Sequence, residues 1–229
     1  MIDFEILKAK LFSLSSKEFS EFSKKLIPNS KPLIGVKIPL LREIVKEFNV
    51  NDIPYFIENF SEEYHEYMLL KAISFGKLKS EEIVFKLIDN FIFSINNWCE
   101  CDVFCASFKF AKKNQEKFFN YLVNLSKLKG EFTQRVVAVM LLDHFINDCY
   151  LDKAFNLILK LDCAKYYCDM AIGWFVSVAF VKYPEKTIEF LKSKKLTKVQ
   201  LKYSVNKICQ SQRVDGKEKF KIRELFKDE

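Results

Sequence analysis

An all-α fold is what this sequence predicts, and three observations carry the expectation. Apolar residues recur with helical rather than alternating periodicity in almost every segment. Only 5 Gly and 5 Pro occur in 229 residues, too few for the hairpins and Gly-rich phosphate loops of sheet proteins. Ser16, Ser80, Asn114, Thr197 and Asp215 each stand just ahead of an apolar run, where a helix N-cap belongs.

In chain order, residues 2–14 and 16–27 form a first helical pair, the second closed by Pro28. A loop over 29–37 leads to Pro39, which suits the first helical position of 39–48. Asn51 and Asp52 cap a short helix to Phe60. Ser61, Glu62 and Glu63 open the next, to Phe75, and Ser80-Glu81-Glu82 opens 81–91. The stretch 96–113 reads as another helix, after which Asn114 caps one reaching Ser126. Lys129-Gly130 breaks the chain before 131–147, and segments 151–161, 166–183 and 184–191 follow. Thr197 caps a helix to Gln210, and Asp215 caps the last, to Phe226. Helical pairs therefore recur roughly every 35–40 residues without a strict sequence repeat, which points to a right-handed α-solenoid of HEAT-like helix pairs. An irregular helical bundle is the alternative. The length suits one domain over residues 1–229.

Hydrophobic residues make up 49% and charged residues 29%, as in ordinary globular proteins. No apolar run approaches the roughly 18 residues that would span a membrane. The opening MIDFEILKAK carries acids where a signal peptide needs a basic region, so a cytoplasmic location is expected. The 7 cysteines lie inside apolar patterns and read as reduced, buried small hydrophobes. Cys99, Cys101 and Cys105 cluster without a second pair at zinc-finger spacing, so neither a metal nor a cofactor is expected. The net charge of +7 is uneven: residues 182–227 hold 14 Lys/Arg against 5 Asp/Glu, whereas residues 1–181 balance. A basic C-terminal quarter on a neutral body favours a phosphate-backbone partner. Solvation by a Lys-rich surface is the competing reading, because Lys outnumbers Arg 33 to 4.

Chemistry-bearing candidates are few. In NNWCECDVFCASFKFAKK, Trp98 and Asp102 are one helical turn apart at the rim of an apolar arc of Cys101, Phe104, Cys105 and Phe108. That suits a cleft wall, and taken alone it suits even better a boundary tryptophan beside an aspartate that complements a helix dipole. Arg135 opens the apolar stretch QRVVAVMLLDHFI, where a cation near a helix start invites a bound anion or, equally, a pair with Glu131. Trp174, in MAIGWFVSVAF, reads first as core; its neighbour Gly173 costs a helix about 1 kcal/mol and implies close approach of another backbone. His65, in a surface-like stretch, and His144 have no triad or metal-pair logic and read as structural. Lys207 and Arg213 are phosphate candidates in the basic C-terminal pair.

These segments together resemble the AlkD-like DNA alkylation repair enzymes, HEAT-repeat DNA glycosylases. The resemblance runs through LIGVKIPLLREIVKEF (a Gly-Val…Pro…Leu-Arg segment), NWCECD, QRVVAVMLLDHF and MAIGWFVSVAF to NKICQSQRV. It implies a cleft lined by Trp98, Asp102, Arg135 and Trp174, in that order and at closely similar spacing. The chain departs from the family at Cys99, where a second tryptophan is common, and at Ser177, where an arginine is common. Acid replaces base near Asp143, and the N-terminal aromatic contact is not evident in FSKKLIPNSK.

The implied activity is excision of cationic N3- or N7-alkylated purines from double-stranded DNA. Asp102 would be catalytic, Trp98 and Trp174 would contact the lesion, and Arg135, Lys207 and Arg213 would hold phosphates. Such chemistry needs no metal or cofactor, and the protein is expected to act as a monomer. The departures leave a second implication, a non-catalytic binder of bent, branched or damaged DNA.

Overall fold

The computed structural model describes residues 1–27, 29–162 and 165–227, and among these it contains fifteen α-helices and no strand. The all-α expectation holds. Two compact units are present, Met1–Lys113 and Asn114–Glu229.

The first unit contains α1 (Phe4–Ser13), α2 (Lys17–Leu26), α3 (Ile38–Lys46), α4 (Ile53–Asn59), α5 (His65–Ser74), α6 (Glu81–Ser94), α7 (Trp98–Ser107) and the short α8 (Phe110–Lys113). Asp3, Ser16, Ser80 and Asn97 accept backbone N–H groups at the starts of α1, α2, α6 and α7, so the expected serine caps are in place. Pro28, expected to close the second helix, lies outside the described residues. Alternate helices pack on one another, α3 on α5 and α5 on α7, while α4 packs on α6. Two rows of this kind are what stacked helical pairs produce.

Every residue of α5 is buried, and phenylalanine fills the space around it. Phe75, Phe91 and Phe104 meet at ring-centroid distances of 5.0–5.2 Å, and Phe104 continues to Phe108 at 5.2 Å. This cluster ends α7 early. Phe108 turns to a non-helical ψ of 73° and is fully buried, so the single helix expected over 96–113 is interrupted between α7 and α8.

The second unit contains α9 (Gln115–Leu125), α10 (Glu131–His144), α11 (Leu151–Ile158), α12 (Tyr166–Lys182), α13 (Pro184–Lys192), α14 (Lys198–Gln210) and α15 (Gly216–Leu225). Here α12 packs between α10 and α14, with α13 also against it. Gly173 explains that closeness: a Cβ there would stand 2.9 Å from the backbone carbonyl carbon of Tyr203 on α14. Thr197 forms a full capping box with Gln200, and Asp215 caps α15 through Lys217 and Glu218.

The cysteine expectation needs correcting. Cys99, Cys101 and Cys105 are buried free thiols, whereas Cys149 is exposed and Cys168 is disulfide-bonded. Cys149 falls in the turn between α10 and α11, outside any apolar face. Cys163 lies outside the described residues.

Candidate nucleic-acid interface

Helix α7 starts sharply because Asn97 accepts the Glu100 N–H at 3.0 Å. Of its ten residues only Trp98, Asp102 and Ala106 are not buried. They are spaced i, i+4, i+8 and so form one solvent-facing stripe. The indole of Trp98 is also oriented: its Nε1–H donates to the Leu26 carbonyl at 3.0 Å, at the end of α2. One turn earlier Phe22 is 56% exposed, as is Leu26 at 52%, so α2 presents an apolar edge next to that indole. Sequence periodicity passed over Phe22, since apolar residues one turn apart on an otherwise polar helix read as an ordinary buried stripe.

Beneath the stripe lies a polar interior that sequence reasoning missed. The Nδ1 of His65 and the Oε1 of Glu100 are 3.0 Å apart, with both side chains buried. The other Glu100 oxygen accepts the Asn96 N–H at 3.3 Å, so this carboxylate steadies the turn from which Trp98 projects. Next to His65, the Glu66 carboxylate accepts three backbone N–H groups, from Ile34, Gly35 and Val36, at 2.7–3.1 Å. Such charge-assisted bonds offset the cost of burying a carboxylate. They hold the 29–37 loop, where Gly35 at φ +93° sits so close to Ser16 that a Cβ would be 2.1 Å from its carbonyl oxygen. His65 is therefore interior, and the surface-like reading of its surroundings is corrected: its partner is 35 residues away.

Cys99 stands beside Trp98 but points inward. Burial first, then the charges of Asp102, Glu100 and Glu66, pushes its thiol up to about 12. It is no nucleophile at neutral pH.

In the second unit, Trp174 is 37% exposed, so the core reading of this residue is corrected. Ala171, Ile172, Phe175, Val176 and Ala179 take up the buried faces of α12, leaving Met170, Trp174 and Val178 along its open edge. Arg135 is 6% exposed. Its Nη1 donates to the Tyr167 carbonyl at 2.7 Å, and Glu131 accepts the Tyr167 N–H at 2.8 Å. Acid and guanidinium thus clasp the first turn of α12 together, the acid satisfying one of its free amides. Ser177 is buried and donates to the backbone carbonyl of Lys207 at 3.1 Å, which sets Lys207 one turn beyond Trp174. Arg213 is exposed beyond the end of α14, and Asp143 is exposed near the end of α10. Among the described residues no group of His, Cys, Asp and Glu could hold a metal, and no helix is long and apolar enough to cross a membrane.

These observations define an all-helical protein of packed neighbouring helices, in each unit of which one apolar helix leaves an indole on its open edge. Residues 7–208 match the family model described as DNA alkylation repair enzyme, and the chain belongs to that family. A comparison with curated proteins gave no match. Family membership carries a role in DNA repair and DNA as the partner.

Proposed function

We propose that the protein is a DNA glycosylase for cationic N3- and N7-alkylated purines. An alkylated purine of this kind carries positive charge, so its glycosidic bond is weakened before any enzyme acts. When that bond breaks, its electron pair moves to the base and neutralises it, leaving positive charge on the sugar. Asp102 stabilises that oxocarbenium and accepts a proton from the water that adds to the anomeric carbon. The products are a free alkylpurine and an abasic site. The indoles of Trp98 and Trp174 attract the cationic nucleotide through their ring faces; Lys207 and Arg213 serve the phosphates, and Arg135 reaches them only with the guanidinium N–H groups that the Tyr167 carbonyl leaves over.

The observation that carries this reading is the α7 stripe, on which an oriented indole and a carboxylate are two of only three residues left open to solvent. The exposed Trp174 supports it. In this reading residues 1–229 act as a single HEAT-like domain, as a monomer in the cytoplasm and without metal or cofactor. Release of 7-methylguanine from methylated duplex is the test. Wild type releases it above the spontaneous rate, and release at the spontaneous rate alone sinks the enzymatic reading.

A second reading, a non-catalytic binder of bent, branched or damaged DNA, draws on Arg135. Its guanidinium is buried and already engaged, and Ser177 leaves no cation at its position. This reading predicts salt-dependent binding that prefers junctions to plain duplex. Equal affinity for the two counts against it.

A further inference from the structure

The α7 stripe does not stop at Asp102. Its third member, Ala106, lines a pocket of about 340 Å³ together with Arg42, Lys46, Lys77, Ser107 and Lys109. No acid lines this hollow. A larger one of about 410 Å³ on the same unit has Glu58 and Glu62 in its wall and would repel an anion.

The cations have different duties. Lys77 donates to the carbonyls of Val45, Lys46 and Phe48 at 2.6–3.1 Å and so closes the C-terminal end of α3. Lys46 is paired with Glu43. Arg42 is half-buried and is aimed by a 3.3 Å bond from Nη1 to the Ser107 hydroxyl, which leaves most of its five donors for another acceptor. Lys109 is exposed on the turn just after α7. An oriented guanidinium, a hydroxyl and a mobile ammonium around an acid-free hollow are complementary to a phosphodiester.

Position decides which phosphodiester. Ala106 lies one turn past Asp102, about 6 Å along the helix axis. That offset is about the spacing of neighbouring phosphates along one DNA strand. We propose that the Arg42–Ser107–Lys109 pocket seats a backbone phosphate of the DNA strand next to the nucleotide that faces Asp102. This rests on the reading above only in taking the Trp98–Asp102 stripe as the DNA-facing edge. It adds a phosphate contact in the first unit, where the clamp residues named so far are all in the second.

The test is fluorescence anisotropy of a labelled plain duplex across a salt series, with wild type, Arg42→Gln, Lys109→Gln and, as a control, Lys86→Gln, whose side chain is exposed on α6 away from the pocket lining. Each pocket variant is expected to lower the slope of log affinity against log salt by about 1, while Lys86→Gln leaves it unchanged. Wild-type slopes in both pocket variants overturn the proposal. Should Arg42→Gln fail to fold, Lys109→Gln decides alone, because its side chain stands on an exposed turn. Base release separates the two ideas. Lost slopes with no base release by wild type leave the pocket standing and sink the glycosylase; base release with unchanged slopes does the reverse.

Discussion

Glu66 shows how much one buried side chain can organise. Its carboxylate takes three backbone N–H groups from a loop that belongs to no helix. An amide offers one acceptor oxygen and turns N–H groups toward donors. Glu66→Gln is therefore expected to cost about 2–3 kcal/mol, read as a lower urea midpoint at unchanged m-value. A midpoint equal to that of wild type would contradict it. Asp169 behaves differently. Burial, joined by the charge of Glu131, raises its carboxyl above the ordinary 3.8, although the Gln200 amide donating to it at 2.9 Å works the other way. The folded state thus holds this proton more tightly than the unfolded chain, and stability falls as pH rises from near 3.8 through the raised folded value. Asp169→Asn keeps an acceptor for Gln200 and removes the titration. Its stability relative to wild type should rise across that acidic window and then stay level, as followed by denaturation at several pH values. A difference independent of pH would contradict it.

At the scale of the element, α7 and α12 follow one rule: an apolar helix packed on several sides keeps one narrow open edge. Helix α12 needs Gly173 to achieve this, because Tyr203 of α14 lies against it. Alanine there gains about 1 kcal/mol of helix propensity but must displace backbone, an overpacking cost of about 1–3 kcal/mol. Gly173→Ala is expected to lower the melting temperature, and a rise would show that α14 yields easily. Element by element, much was legible in the sequence. Ser16, Ser80, Thr197 and Asp215 marked helix starts because capping is a local interaction, read within four residues. The end of α7 was not legible, because Phe108 leaves the helix for partners such as Phe75, more than thirty residues away. The same distance hid the His65–Glu100 pair. Trp174 was misread as core because composition says that a helix is apolar, not which of its edges the neighbours leave open.

For the whole molecule, the all-helical architecture and the family both agree with the sequence reading, and 7–208 is the stretch that the family model matches. The candidate site is a proposal that the sequence made as a set of residue types in register. What their placement adds is specific to each residue: Trp98 oriented by α2, Cys99 turned inward, and Arg135 engaged with α12. Charge adds a second theme at this scale, with the basic excess in residues 182–227 and an acid-free cationic pocket in the first unit. Both favour a polyanion held along its backbone.

The central claim is that a single carboxylate, Asp102, performs the chemistry while other groups hold the DNA. Single-turnover release of 7-methylguanine from methylated duplex, measured beside duplex affinity for wild type and Asp102→Asn, tests it most directly. Asp102→Asn is expected to bind the duplex with nearly wild-type affinity and to release base no faster than the spontaneous rate. Base release by Asp102→Asn at the wild-type rate would contradict it.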